Sequence, residues 1–228
     1  MDGTAGLKTG QTRRTFIKNG ILVSIAAGSM LGAYETGFAA PGKERWGMII
    51  DLDRCIGCRS CTIACKLQND TVEKSFSTTV FDKEIGEYPR ARNSFMPVQC
   101  NHCENPPCVE VCPEDATFRL SNGIVVTDWS KCTGDGSCIE ACPYGARFPD
   151  HRFGNRVDKC DFCFNRLQAG LEPACVEACP SKARLWGDLN NPEGEFSKYI
   201  NTGELVCRKP ELGIKTGVLY KNVPEESA

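Results

Sequence analysis

The sequence predicts a loop-rich α+β fold made of a duplicated unit, and three observations lead to that prediction. Cysteine supplies 16 of the 228 residues, and every cysteine except Cys207 falls into one of four closely spaced groups. These groups alternate between a compact and a stretched spacing, which indicates an internal repeat. Glycine (22) and proline (13) are abundant while aromatic content is only 8%. Loops held together by bound inorganic cores fit this composition better than a large apolar core.

The four cysteine groups have defined spacings. Residues 55–65 read C-x2-C-x2-C-x3-C, residues 100–112 read C-x2-C-x4-C-x3-C, residues 132–142 read C-x5-C-x3-C and residues 160–179 read C-x2-C-x11-C-x3-C. The first spacing is the bacterial ferredoxin run, in which three thiolates hold one iron–sulfur cluster and the fourth crosses to a neighbouring cluster. Four such groups predict four iron–sulfur clusters.

Disulfides and zinc are the alternative uses for so many cysteines. Exported proteins often carry disulfides, and isolated C-x2-C pairs suit tetrahedral zinc sites. Neighbouring cysteines in the first group are too close for easy pairing with each other, whereas their thiolates can converge on one metal core. Proline follows directly after Cys112, Cys142 and Cys179, as in the ferredoxin pattern. Both features favour iron–sulfur clusters.

The segments beside the cysteines predict short strands and helices. The apolar runs at residues 46–53 and 123–128 each precede a compact cysteine group and predict strands. Residues 61–69 and 138–141 follow the ligand loops and predict short helices. Strand, cysteine loop and helix in that order, given twice, predict ferredoxin-like units.

Residues 1–40 differ from the rest of the chain and predict a targeting segment. Residues 12–18 read T-R-R-T-F-I-K, which matches the twin-arginine pattern, and a mildly apolar run follows at residues 20–33. That run is too short to span a bilayer comfortably. Clusters are assembled on reduced thiolates in the cytoplasm, so a protein that carries them should fold before export, as the twin-arginine route permits. We therefore expect a periplasmic protein.

Three phrases within residues 46–190 resemble the four-cluster iron–sulfur subunits of the molybdopterin oxidoreductase superfamily. They are C-N-H-C from Cys100, C-P-Y-G-A-R from Cys142 and R-L-Q-A-G-L from Arg166, the last continuing to P-A-C at Cys175. Subunits of this kind serve reductases of dimethyl sulfoxide, polysulfide, thiosulfate and tetrathionate. The motifs are specific for the family but are poor guides to the substrate.

The resemblance implies which cysteines share a cluster, because the family pairs the first group with the fourth and the second with the third. We call the resulting ligand sets sites 1 to 4. The ligands of site 1 are Cys55, Cys58, Cys61 and Cys179. Those of site 2 are Cys65, Cys160, Cys163 and Cys175, and those of site 3 are Cys100, Cys103, Cys108 and Cys142.

The pairing implies two ferredoxin-like lobes. One consists of residues 41–98 with residues 159–190, and the other of residues 99–158. We expect residues 191–228 to form a tail that packs on the core or on a partner. The polar residues 70–97 predict a connection and docking surface.

Site 4 departs from the family pattern. Its cysteines are Cys112, Cys132 and Cys138, and Asp135 stands where a further cysteine is expected. A carboxylate is a harder and weaker ligand for cluster iron than a thiolate, so we expect site 4 to hold a [3Fe–4S] cluster, or a labile [4Fe–4S] cluster with Asp135 as a candidate ligand. The other three sites predict ordinary [4Fe–4S] clusters. Alternatively, another residue completes site 4; Cys207 is expected to be a lone buried thiol.

A chain of clusters predicts an electron-transfer subunit that is not itself a catalyst. The sequence contains no G-x-S-x-G, no Gly-rich dinucleotide loop and no metal site with an evident open position. The net charge of −2 and the lack of a basic run predict no nucleic-acid partner. The resemblance implies electron flow between an integral-membrane quinol-oxidising subunit and a molybdopterin catalytic subunit in anaerobic respiration.

The substrate of the complex is predicted from resemblance alone. Residues 75–80, 116–118 and 123–126 are similar to the tetrathionate branch of the family, and the thiosulfate, polysulfide and arsenate branches are close alternatives. Two other functions fit the cysteine content. One is an autonomous soluble polyferredoxin, and the other, of a different class, is a secreted disulfide-rich binding scaffold.

Replacing Arg13 and Arg14 with Lys tests the predicted export signal. We expect the cluster-loaded variant to stay in the cytoplasm, because the twin-arginine route recognises the arginine pair. Cell fractionation followed by immunoblotting measures the distribution. Unchanged periplasmic delivery would mean that this segment is not the address, or that the leader of a partner carries the complex out.

Overall fold

A three-stranded sheet lies at the centre of the computed structural model, which describes residues 44–224. Its middle strand is β1 (Trp46–Asp51), where all residues after Trp46 are buried. Strand β8 (Arg184–Asp188) pairs antiparallel on one edge of β1, and β9 (Val218–Lys221) pairs parallel on the other. A strand paired on both edges and covered on both faces is expected to be apolar throughout, as the run M-I-I at residues 48–50 is. The strand predicted at residues 46–53 is thus confirmed, and the leader predicted at residues 1–40 lies outside the described residues.

Three antiparallel hairpins contain the other strands of residues 44–224. They are formed by β2 (Thr78–Ile85) with β3 (Arg92–Gln99), β4 (Thr117–Arg119) with β5 (Val125–Thr127), and β6 (Arg147–Asp150) with β7 (Arg156–Lys159). Strand β5 confirms the strand predicted at residues 123–128. Most of residues 70–97, predicted to be a polar connection and docking surface, form the β2–β3 hairpin, which the sequence did not predict. Four consecutive residues of β2, from 81 to 84, are exposed, so its polar composition hides the alternation that indicates a strand.

The helices are short, and most carry a predicted ligand. They are α1 (Ser60–Asn69), α2 (Pro107–Glu110), α3 (Ser137–Glu140), α4 (Phe164–Gln168), α5 (Ala174–Glu177) and α6 (Gly194–Asn201), with 3-10 turns at His151–Phe153 and Pro210–Leu212. The predicted helices at residues 61–69 and 138–141 correspond to α1 and α3. Helices α2, α3 and α5 are single turns that stop just before a Cys-Pro pair, because proline disfavours helix at the preceding residue and lacks the N–H that a continuing turn requires. Each of these helices therefore contains one cysteine and ends before the next.

The main core lies on one face of the central sheet and mixes apolar side chains with cysteines. Met48, Ile50 and Tyr220 from the sheet pack there with Phe162 and with cysteines of the ligand groups. The phenol of Tyr220 donates a hydrogen bond to the carbonyl of Pro97 at 3.0 Å, which ties the sheet to the end of β3. Because both predicted lobes contribute to this core, residues 44–224 fall within one compact unit, and the division into two lobes stays a prediction.

The segment after residue 190 covers the opposite face of the sheet. Phe196 of α6 is buried against Ile49 and Leu185, and its ring lies where a Cβ at Gly187 would stand, 2.6 Å from the nearest ring carbon. The apolar stretch at residues 217–220 supplies β9. The described part of this tail therefore packs on the sheet. In residues 44–224, no helix is long and apolar enough to cross a membrane.

Candidate iron–sulfur sites

All sixteen cysteines lie in the described part of the chain, and all are free thiols. Thiols of the same predicted site interact electrostatically with one another, as the following paragraphs describe. They are not gathered around a point: within residues 44–224, no group of three or more His, Cys, Asp or Glu side chains is arranged to hold a single metal ion. Sites 3 and 4 instead line cavities.

Site 3 has the most complete cavity. The cavity is lined by all four predicted ligands, Cys100, Cys103, Cys108 and Cys142, together with Asn101, Tyr144 and Arg147. Burial raises the pKa of Cys103 to about 12, with further contributions from the thiolates of the other three cysteines. Such a crowded set is unfavourable as four bare thiolates, and a cationic iron core would relieve both the burial cost and the mutual repulsion.

Site 2 is the most deeply buried set, and all four of its cysteines are inaccessible. Burial raises the pKa of Cys65 and of Cys160 well above the usual range of a thiol, and each also feels the thiolates of Cys163 and Cys175. The Asn69 side-chain amide donates to the sulfur of Cys65 at 3.4 Å and to that of Cys163 at 3.8 Å. N–H···S hydrogen bonds of this kind stabilise a ligand in its thiolate form.

Site 1 lies nearer the surface. Cys55 is half-buried and Cys58 exposed, while Cys61 and Cys179 are buried. Burial raises the pKa of Cys55, and the thiolates of Cys61 and Cys179 are close enough to add to that rise. At Cys179 burial acts the same way, but hydrogen bonds from the backbone N–H groups of Arg184 and Ala183 and from the Ser181 hydroxyl outweigh it and lower the pKa.

Site 4 is also near the surface and brings Asp135 to the same cavity as its cysteines. The cavity is lined by Cys112, Cys132, Cys138 and Asp135. Gly134 has a φ of +81°, and a Cβ there would stand 2.6 Å from the carbonyl oxygen of Gly154, so only glycine lets this loop fold as it does. Asp135 itself is exposed, and its Oδ1 accepts hydrogen bonds from the backbone N–H and the hydroxyl of Ser137. Those bonds lower the pKa of Asp135, which is therefore a carboxylate.

Unpartnered donors in the walls of these sites provide a test of whether a cluster fits. Asn101, Tyr144 and Arg147 line the site 3 cavity, and their Nδ2, Oη and Nη1 atoms are buried without a hydrogen-bond partner in the protein. The same lack of a partner holds for Nε of Arg184, whose Nη1 lies 3.6 Å from the sulfur of Cys175 in site 2. An unsatisfied buried polar group costs about 1–3 kcal/mol. The sulfur atoms of an iron–sulfur cluster are acceptors that could satisfy such donors. The residues present thus fit the cofactor that the spacing predicts.

His102 and Cys207 lie near the sites but belong to none of the four predicted ligand sets. His102 is buried between two ligands of site 3, and its Nδ1 accepts the backbone N–H of Val125 at 3.0 Å. Burial lowers its pKa, as do the nearby cations Lys159 and Arg147, so its imidazole is neutral. The prediction that Cys207 is buried is wrong: its thiol is partly exposed, near Tyr144, because the segment around it forms only an isolated bridge to the sheet.

Comparison with known proteins agrees with these sites. Two models, each described as a 4Fe-4S dicluster domain, match residues 47–116 and 91–189. A tetrathionate reductase subunit of Salmonella typhimurium is 40% identical, covering 94% of this chain and 90% of the relative. The chain belongs to the family of iron–sulfur subunits of multisubunit reductases. A putative dimethyl sulfoxide reductase iron–sulfur subunit of Halobacterium salinarum is 40% identical, covering 78% of this chain and 79% of the relative. The arsenate respiratory reductase iron–sulfur subunit of a Shewanella species is 31% identical, covering 77% of this chain and 95% of the relative.

Membership of this iron–sulfur subunit family confirms the predicted resemblance and the role in electron transfer. The dicluster matches confirm iron–sulfur clusters in ferredoxin-like domains, and the assignment of individual cysteines to sites 1 to 4 stays a prediction. Sequence reasoning missed the buried Arg147 and Arg184 beside the ligands. A signal for them exists in the internal repeat, because C-P-x-x-A-R occurs both at residues 142–147 and at residues 179–184.

Replacing Cys103 with Ala tests the assignment of site 3, and Cys207→Ala is the matched control. We expect Cys103→Ala to lose about a quarter of the iron and acid-labile sulfide, because one cluster of four loses a ligand. Cys207→Ala should keep the full content, since Cys207 belongs to none of the four sites. Iron and sulfide analysis of anaerobically purified protein measures both. Equal losses in the two variants would contradict the assignment.

Proposed function

We propose that this chain carries four clusters in the order of sites 1, 2, 3 and 4 and relays electrons between two partner subunits. The observation that supports this order is the contact between neighbouring sites. The thiolates of Cys61 in site 1 and Cys175 in site 2 interact, as do those of Cys160 in site 2 and Cys100 in site 3. Arg147 interacts with thiolates of both site 3 and site 4. Packing supports the same order, since Cys61, Cys100, Cys160 and Cys175 share one buried cluster and Cys108 packs with Cys132 and Cys138 in another. We therefore propose that the four sites form a line.

The two ends of this line are the sites nearest the surface. Cys58 of site 1 is exposed and Cys112 and Cys132 of site 4 are half-buried, whereas every cysteine of site 2 is buried. A relay needs entry and exit points that partners can approach and an interior shielded from water. Bound clusters would supply one-electron carriers at each point. The protein would supply spacing, burial and hydrogen bonds.

The partners follow from the family. Because its relatives are iron–sulfur subunits of reductases, we assign one partner as a molybdopterin catalytic subunit and the other as an integral-membrane subunit that oxidises quinol. The 40% identity to a tetrathionate reductase subunit over 94% of the chain supports tetrathionate as the terminal substrate. Thiosulfate, polysulfide and arsenate are the alternatives. The twin-arginine pattern supports a periplasmic location, reached after folding and peripheral to the inner membrane.

Purification of the native complex tests this function. A tagged chain, isolated anaerobically from its host in mild detergent, should carry along a large molybdenum-containing polypeptide and a membrane polypeptide. The bound clusters should be reduced by a quinol and reoxidised on addition of tetrathionate. Recovery only as a free monomer would favour an autonomous polyferredoxin, and colourless protein with disulfides instead of iron would favour a binding scaffold. A catalytic partner specific for arsenate would overturn the choice of substrate.

We further propose that site 4 is the exception among the clusters and lies at the membrane-subunit end. Three thiolates and a carboxylate line its cavity, and Oδ1 of Asp135 is already engaged by Ser137. A carboxylate that is also a turn-forming acceptor is a weak competitor for the fourth iron. A [3Fe–4S] cluster, or a labile [4Fe–4S] cluster, with a higher potential than its neighbours would suit exchange with a quinol.

Asp135→Cys tests the assignment of site 4. We expect the added thiolate to bind a fourth iron and give an ordinary [4Fe–4S] cluster of lower potential, which slows quinol-linked reduction and leaves the other three clusters intact. Electron paramagnetic resonance of the oxidised protein is the measurement, since an oxidised [3Fe–4S] cluster is paramagnetic and an oxidised [4Fe–4S] cluster is silent. A silent oxidised wild type with about sixteen iron atoms per chain would contradict the three-iron assignment.

A further inference from the structure

Two buried arginines occupy equivalent places in the internal repeat. Arg147 follows Cys142 in C-P-Y-G-A-R and begins β6, and Arg184 follows Cys179 in C-P-S-K-A-R and begins β8. Their exposed fractions are 4% and 2%. A guanidinium is always protonated in proteins, and burying it is costly unless negative charge or hydrogen-bond acceptors surround it. The groups that surround these two cations therefore indicate what they are for.

Arg147 lies between sites 3 and 4. Its Nη2 donates to the sulfur of Cys108 at 3.0 Å and to the hydroxyl of Thr117 at 2.8 Å. Burial works against its charge, but the thiolates of Cys108, Cys100 and Cys138 outweigh that effect and raise its pKa. Cys100 and Cys108 belong to site 3 and Cys138 to site 4. The guanidinium thus faces ligands of two sites at once.

Arg184 has the same relation to sites 1 and 2. Its Nη2 donates to the hydroxyl of Thr78 at 2.8 Å, and its Nη1 lies 3.6 Å from the sulfur of Cys175. Its charge interacts with the thiolates of Cys61 in site 1 and of Cys175 and Cys160 in site 2. In both halves of the repeat, the guanidinium donates to a threonine hydroxyl and to a ligand sulfur. Arg147 makes both contacts through Nη2, whereas Arg184 uses Nη2 and Nη1, and its Nη1 also donates to Oε1 of Gln99 at 3.2 Å.

Each guanidinium also keeps one donor without a protein partner. These donors are Nη1 of Arg147 and Nε of Arg184. Buried donors of a cation are seldom left unused, because an unmade hydrogen bond to a charged group costs more than one to a neutral group. Because thiolate ligands surround these two donors, the sulfur of a bound cluster is the acceptor that could satisfy them.

We propose that Arg147 and Arg184 are shared positioning residues, each of which stabilises the reduced state of two neighbouring clusters, Arg147 at sites 3 and 4 and Arg184 at sites 1 and 2. This inference rests on the proposed four-cluster relay. One-electron reduction adds a negative charge to a site that thiolates already make anionic. A fixed cation in a low-dielectric interior offsets that charge and raises the potential. Because the guanidinium stays protonated throughout, the added electron needs no accompanying proton at this residue.

Redox titration of the clusters in two variants tests the proposal. In Arg147→Gln we expect two of the four reduction waves to move to lower potential, and in Arg184→Gln the other two. The expected size is at least a tenfold fall in the ratio of reduced to oxidised cluster at a fixed potential, or about 59 mV for a one-electron couple. Each variant thereby serves as the control for the other. Electron paramagnetic resonance, recorded at a series of poised potentials on the purified cluster-loaded protein, measures the waves.

Two further variants separate charge from shape. Arg147→Lys and Arg184→Lys keep the cation, so their potentials should stay near those of the wild type. Arg90→Gln removes an exposed cation and should move no wave, since water screens charges at the surface. Equal shifts in the Lys and Gln variants, or shifts spread over all four waves, would overturn the proposal.

The result remains decisive if a Gln variant does not load its clusters. If the Lys variant binds its clusters with potentials near those of the wild type while the Gln variant does not bind them, the result would support a requirement for positive charge. Failure of both to the same extent would overturn the proposal, because it would show that the arginine acts through its shape and packing. A wild type without clusters would refute the proposed function itself, whereas loaded variants with unmoved waves would refute only this inference.

Discussion

The structure depends on keeping sulfur ligands crowded together inside the protein. The fifteen predicted ligand cysteines would bring negative charge into a space where burial raises the pKa of thiols such as Cys65 and Cys160. The fold reduces this cost with positive charge and with N–H donors. Arg147 and Arg184 provide the first, and amides such as the backbone N–H of Ala116, which donates to the sulfur of Cys112 at 3.3 Å, provide the second. Iron then replaces the protons that the thiols would otherwise keep.

This constraint also explains why the secondary structure is so brief. A cluster ligand must point inward at one place, and a single turn such as α2 or α5 is enough to do this. The Cys-Pro pair that follows ends the turn and sends the chain into a strand. Repetition of this device at three of the four groups produces a core in which cysteines such as Cys100 and Cys160 pack directly against Ile50, Phe162 and Tyr220.

The elements closest to the cysteines could be predicted from sequence, and the more distant relations could not. Strand β1 was predictable because it is buried on both faces, and α1 because it follows a ligand loop directly. The β2–β3 hairpin was missed because residues 81–84 face solvent and have no apolar alternation. The ligand groups were evident from spacing, yet the position of Arg147 between two sites depends on contacts with Cys108 and Thr117, 39 and 30 residues earlier in the chain. No local pattern reports such a contact. Cys207 was assigned to the interior only because cysteine is usually buried.

Strand β9 has a consequence for biogenesis. It pairs parallel with β1 from residue 218 onward, so it leaves the ribosome after every cysteine of the four sites. Until then, one edge of β1 has no partner in this sheet, and the face that carries Met48 and Ile50 lacks Val218 and Tyr220. The nascent chain thus passes through a stage in which the ligands have all been synthesised while the sheet beside them is still open. Pairing of β9 with β1 then completes the sheet and adds Val218 and Tyr220 to the core that contains Cys100 and Cys160.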